Sequence, residues 1–175
     1  MLTSTQRGAA GEQMVAACVT LSSDGELELF KPLTDDDHTD ISAGRRGGVP
    51  ALAIQVKTAL TLDRKKLAVA RMSFPEGTPR EHPAFVYAIV YIPDLSVETA
   101  WLVPSADFNR LCYRGVGRHG KGIELQFMAS PSRADQWAAY RCSRFEVGGR
   151  LMAAIDHLLA APPPWLPGDH LLFRR

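Results

Sequence analysis

A chain of 175 residues, 46% hydrophobic and 22% charged, has the composition of one ordinary globular domain and buries a core without metal or disulfide staples. Its net charge of only +1 argues against a long non-specific duplex groove, so a nucleic-acid face must come from local clustering. The opening MLTSTQRGAAGEQ lacks the basic-then-apolar run of a signal peptide, and no apolar stretch reaches membrane-span length, which sets the expectation of a soluble cytoplasmic protein with no membrane partner.

Residues 4–21 are predicted helical, capped by Ser4 or Thr5 and ended by Asp24-Gly25. Residues 26–32 alternate as a strand with Pro32 at its exit. The acidic run Asp35-Asp36-Asp37-His38 reads as a solvated loop, with Asp36 or Asp37 as a secondary metal ligand at most. Gly44 to Gly48 predicts a tight turn, followed by the clearest strand of the sequence, 51–58 (ALAIQVKT). Further strands are expected at 66–74, 84–92 and 99–103, then a helix from Pro104-Ser105 to about Cys112. A Gly-rich basic loop, 114–122, leads into a strand at 123–128. Residues 135–161 have a helical pattern broken near Gly148-Gly149, with Trp137, Tyr140 and Phe145 as its core residues. Residues 1–161 therefore form one domain, and 162–175 a Pro-rich arm that packs on its own domain or on a partner. This order of elements indicates an α/β domain around one mixed sheet.

The three cysteines, Cys18, Cys112 and Cys142, form no CxxC and stand at no zinc-ligand spacing from a histidine, so they read as buried reduced thiols. The stretch RGVGRHGKG contains both GxGxxG and GxxxxGK. A phosphate loop needs a strand before it, a helix after it and a hydroxyl residue after the lysine, where this chain has Gly122. It is read as a flexible basic loop whose Arg114, Arg118, His119 and Lys121 meet nucleic-acid phosphates, together with Arg45 and Arg46.

The chemistry concentrates in one hairpin. A period of two puts Leu52, Ile54 and Val56 on one face of the 51–58 strand and Gln55 with Lys57 on the other. Antiparallel pairing across the turn brings Asp40 opposite about Ala53 to Gln55. A carboxylate, an amide oxygen and an ammonium group thus gather where a hard divalent ion and a phosphodiester suit them. Asp40 and Gln55 supply ligands, the Val56 carbonyl adds another, and Lys57 orients or helps deprotonate water and stabilises charge on the phosphate. Glu12 lies either on a stripe with Val15, Ala16 and Val19, where a carboxylate needs a partner or a metal, or on the flank of a stripe formed by Ala10, Met14, Ala17 and Leu21.

Gly11-Glu12, Val15-Ala16, Pro32-Leu33, Asp40-Ile41 and Ile54-Gln55-Val56-Lys57-Thr58 resemble the small PD-(D/E)xK endonuclease-like proteins related to archaeal Holliday-junction resolvases, with Trp101 to Ser105 and Asp107-Phe108 a looser match. The resemblance covers about the first 60 residues well and leaves the C-terminal third unmatched. It implies a restriction-endonuclease-like αβββαβ core with a central mixed sheet flanked by helices, Mg²⁺ or Mn²⁺ dependence, and cleavage of DNA. Glu12 then matches the helix-one acid, also a metal ligand, Asp40 the motif aspartate, Gln55 the variable acid and Lys57 the motif lysine. Gln55 removes one negative charge from that pattern, and Pro32 stands well upstream of Asp40. The resulting expectation is a metal-dependent nuclease. Its rivals are a catalytically silent nuclease-fold module that binds nucleic acid or a protein, and a homodimeric scaffold assembled through the C-terminal arm.

Overall fold

The computed structural model describes residues 3–33, 38–74, 78–117 and 120–160. Helix α1 (Ser4–Ser22) is capped by Thr3, one residue ahead of the expected Ser4 or Thr5: the Thr3 hydroxyl accepts from Gln6 N, and the Gln6 side chain accepts from Thr3 N. This reciprocal box satisfies two amides that a helix start leaves open. Asp24 and Gly25, at φ 52° and 72°, end the helix as predicted.

Strands β1 (Leu27–Phe30), β2 (Ile41–Arg45) and β3 (Leu52–Ala59) follow as an antiparallel meander. The turn between β2 and β3 is shorter than expected. Gly44 and Arg45 belong to β2, and the reversal is made at Arg46 to Gly48 with Gly47 at φ 71°. Strand β4 (Ala68–Phe74) leaves this sheet, and β5 (Phe85–Tyr91) returns to pair parallel with β3. The parallel connection thus runs through a strand of a second sheet. Strand β6 (Thr99–Pro104) and helix α2 (Ser105–Leu111) come next, with Pro104 as the N-cap and the Ser105 hydroxyl bonded to both N–H and C=O of His82.

The predicted loop at 114–122 is half strand. Residues Tyr113–Val116 form β7, which pairs with β8 (Ile123–Ala129) across a turn closed by Gly117 N to Gly122 O at 3.2 Å. Strand–turn–strand is no phosphate-loop context. Two sheets result: a mixed one of order β1-β2-β3-β5-β6-β9, where β9 is the short strand Arg141–Cys142, and an antiparallel one of order β4-β8-β7.

The region 135–161, predicted helical with a break near Gly148-Gly149, is the largest correction. It holds a 3-10 turn (Ala138–Tyr140), the short strand β9 (Arg141–Cys142) and helix α3 (Val147–Ala160). Asp135 explains the early break, since its carboxylate accepts from Ser130 N and Trp137 N and curls the chain into a turn. β9 then covers the open edge of β6, pairing Cys142 with Ala100. Ser143 and Glu146 set up the entry to α3: the Glu146 carboxylate accepts from Ser143 N and its hydroxyl, bonds that hold it below the usual carboxylate range. Gly148 and Gly149 lie inside α3 and do not break it. Trp137 is buried and Tyr140 half-buried, but Phe145 is 74% exposed beneath the Arg144 guanidinium and is no core residue.

Both faces of β5 are covered, which is why its sequence FVYAIVY is apolar throughout. Val86, Ala88 and Val90 meet α1 and α3 through Val15, Val19, Leu151 and Ile155. Phe85, Tyr87 and Ile89 meet the second sheet through Phe127 and Leu125, with Phe108 and Trp137 filling the corner. Cys112 and Cys142 are buried, Cys18 is half-buried, and all are unpaired thiols, as expected. No helix among the described residues is long and apolar enough to cross a membrane. The acidic run 35–37, Arg118, His119 and the arm 162–175 lie outside the described residues.

Candidate active site

The site is built from the end of the β2–β3 ladder. Asp40 immediately precedes β2; its N–H donates to the Ile54 carbonyl at 3.0 Å, and its Oδ2 accepts from Val56 N at 2.6 Å. The carboxylate thereby takes the place of the next backbone carbonyl, extending the ladder by one step and fixing its own rotation against β3. Ile41 pairs with Ile54 in register, which puts Asp40 level with Gln55, within the range the sequence predicts.

Helix α1 supplies the opposite wall. Its buried line is Gly11, Val15 and Val19, while Leu21 is 82% exposed, so the stripe through Ala10, Met14, Ala17 and Leu21 is not the one that packs. Glu12 sits beside Gly11 on the flank of the packed stripe. A Cβ at position 11 would overlap the Thr58 hydroxyl, and the missing side chain is what lets α1 cross β3 this closely. The close crossing brings Glu12 over the end of β3.

Between these walls lies an open cleft of about 500 Å³, lined by Ser4, Thr5, Arg7, Glu12, Lys31, Asp40, Val56, Lys57 and Thr58 among others. Two carboxylates, three cations and the N-terminal turn of α1 therefore share one opening. Lys31, which follows β1, donates to Glu12 Oε2 at 2.8 Å, and that bond with the nearby Glu12 and Asp40 charges raises the ammonium pKa above its ordinary value. Lys31, Arg7 and the helix-start hydroxyls are the residues that sequence reasoning passed over. Alternation around Pro32 showed where β1 leaves the sheet, but not that its exit meets Glu12.

Glu12, Asp40, Val56 and Lys57 come together. Gln55 does not line the cleft: it is buried, 5% exposed. Among the described residues no three His, Cys, Asp or Glu side chains are grouped as a metal site. A hard divalent ion nevertheless fits two carboxylates with one carbonyl, since such ions keep several waters and take phosphate oxygens as ligands. Glu12 already holds the Lys31 ammonium at 2.8 Å, and the Asp40 charge acts on the same ammonium.

The proposed phosphate-contacting arginines and lysine are dispersed. Arg45 and Arg46 lie at the far end of the hairpin from Lys57, and Arg45 forms a two-pronged pair with Asp156 of α3. Arg114 and Lys121 are exposed on the β7–β8 hairpin of the second sheet.

No protein-family model matches the sequence, and no curated protein matches it. Among solved structures, a bacterial homing endonuclease, I-Ssp6803I, is similar at a TM-score of 0.60 and 16% identity, over 93% of this chain and 99% of that one. Likeness at that identity is a likeness of fold. The chain has an α/β, restriction-endonuclease-like fold, with a mixed central sheet and flanking helices.

Proposed function

We propose that the cleft between α1 and β3 hydrolyses phosphodiester bonds of DNA with Mg²⁺ or Mn²⁺. The observation that supports this most is the meeting of Asp40, Glu12 and Lys57 in one cleft, from three separate chain segments, on a fold similar to that of a homing endonuclease. Glu12, Asp40 and the Val56 carbonyl would hold the ion. Gln55, buried outside the cleft, acts only through the position of the β3 backbone. When bound, the ion supplies Lewis acidity toward a phosphate oxygen and toward the attacking water. Asp40, locked by Val56 N, presents its carboxylate without reorganising, which is the condition for electrostatic stabilisation. Lys57 donates to the water and to the charge that develops on the phosphate. Arg7 and the hydroxyls of Ser4 and Thr5 hold the flanking backbone.

Asp40→Asn is the decisive substitution because the amide oxygen keeps the bond from Val56 N while the charge is lost. Cleavage of plasmid DNA in Mg²⁺ is expected to fall by about 100-fold or more in Asp40→Asn and in Lys57→Ala, with thermal unfolding close to wild type. Wild-type cleavage by either variant would sink the assignment. A catalytically silent binding module is the second reading, favoured by the burial of Gln55 where an acid is the usual ligand. Titration calorimetry with Mn²⁺ separates the two, since the silent module takes up no ion at Asp40.

A further inference from the structure

Lys31 is placed by the sheet and not by its own neighbours. Phe30 pairs with Ser42, so the chain leaves β1 at the level of Ile41 and Asp40. This exit points the Lys31 stem across the cleft to Glu12, with Nζ 2.8 Å from Oε2. The two side chains differ in exposure, 63% for Lys31 and 21% for Glu12. The carboxylate is anchored on a packed helix, whereas the ammonium is on a flexible stem that water reaches from most sides. Lysine is a compact point charge with freely rotating donors, suited to transient neutralisation and not to a rigid fork.

Two carboxylates facing one cleft repel each other unless a cation stands between them. From this geometry we infer that Lys31 is a built-in counter-ion of the Glu12–Asp40 pair, which a divalent cation must displace from Glu12 in order to bind. The inference rests on the proposed metal site and adds a competitor to it. Exchange of this kind weakens the site for ions in the resting protein. It also releases a second ammonium group at the mouth of the cleft at the moment the ion enters, free to meet a phosphate of the substrate.

The test is Mn²⁺ binding by titration calorimetry on the full chain, at low and moderate ionic strength and without DNA. Lys31→Met should bind Mn²⁺ about fivefold more tightly than wild type, the scale of an exposed ion pair, and Lys31→Arg should stay close to wild type. The gain should shrink in a Glu12→Gln background, where the pair is already broken, and at higher salt. Equal affinities in wild type and Lys31→Met, with both losing the ion on Asp40→Asn, overturn this inference and leave the metal site standing. Weaker binding by Lys31→Met overturns it too, because Lys31 would then be shaping the site and not competing for it. Absence of Mn²⁺ binding in wild type and Lys31→Met alike overturns both readings. Binding in Lys31→Met alone supports both.

Discussion

Gly11 and Thr58 show how one missing methyl group positions a functional carboxylate. The Thr58 hydroxyl is buried with no hydrogen-bond partner among the described residues, directly beneath the helix that Gly11 allows to approach. Alanine at position 11 improves helix propensity by roughly 1 kcal/mol but must push α1 off β3 or twist Thr58, an overpacking cost of about 1–3 kcal/mol. Gly11→Ala should therefore lower stability in urea denaturation, and Thr58→Ala in the same chain should restore most of the loss. If the double variant is as unstable as Gly11→Ala alone, the crowding lies elsewhere. Cleavage should suffer in Gly11→Ala beyond its stability loss, because Glu12 rides on the same turn.

At the level of elements, legibility followed period and failed where long-range pairing decided. Strand β3 and its register with Asp40 were readable because alternation at Leu52, Ile54 and Val56 agrees with a glycine-rich turn before it. The stretch 135–161 was not, because Trp137 and Tyr140 stand at the three-residue spacing that a helix also gives, and only the open edge of β6 selects a strand at 141–142. The Ser143-x-x-Glu146 start signal of α3 was present in the sequence and unused. Of the two glycines read as a break, Gly148 instead serves contact between helices. Gly148 N donates to the Ser22 hydroxyl at 2.7 Å, and a Cβ there would lie 2.5 Å from Ser23 N. Because backbone cannot yield as a side chain can, Gly148→Ala should destabilise by at least about 2 kcal/mol, and Gly149→Ala, which meets nothing, should be neutral or slightly stabilising. Thermal unfolding of the two variants side by side checks this; equal effects would contradict the packing.

For the molecule as a whole, burial of ionisable groups between the layers sets a limit on the alkaline side. Burial pushes the Tyr87 phenol and the Cys112 thiol up to about 12 and the Cys142 thiol up to about 11, against ordinary values of 10.0 and 9.0. The unfolded chain releases these protons first, so stability is complete below pH 9 and is lost as pH rises from about 9 to about 12. Denaturation midpoints across that window should fall, and the slope should flatten in a Cys112→Ala, Cys142→Ala variant; an unchanged slope would remove the thiols as its cause. The sequence showed an α/β domain around a mixed sheet but not the second sheet, because the alternation of β4 and β8 is the same whichever sheet they join and only pairing decides. The position of the first helical turn has a practical side. Since Ser4, Thr5 and Arg7 line the cleft, a polyhistidine tag fused to the amino terminus is tethered within a few residues of it and would compete there for transition metals. Ion titrations and cleavage assays on this protein are best made with the purification handle at the other end of the chain or removed.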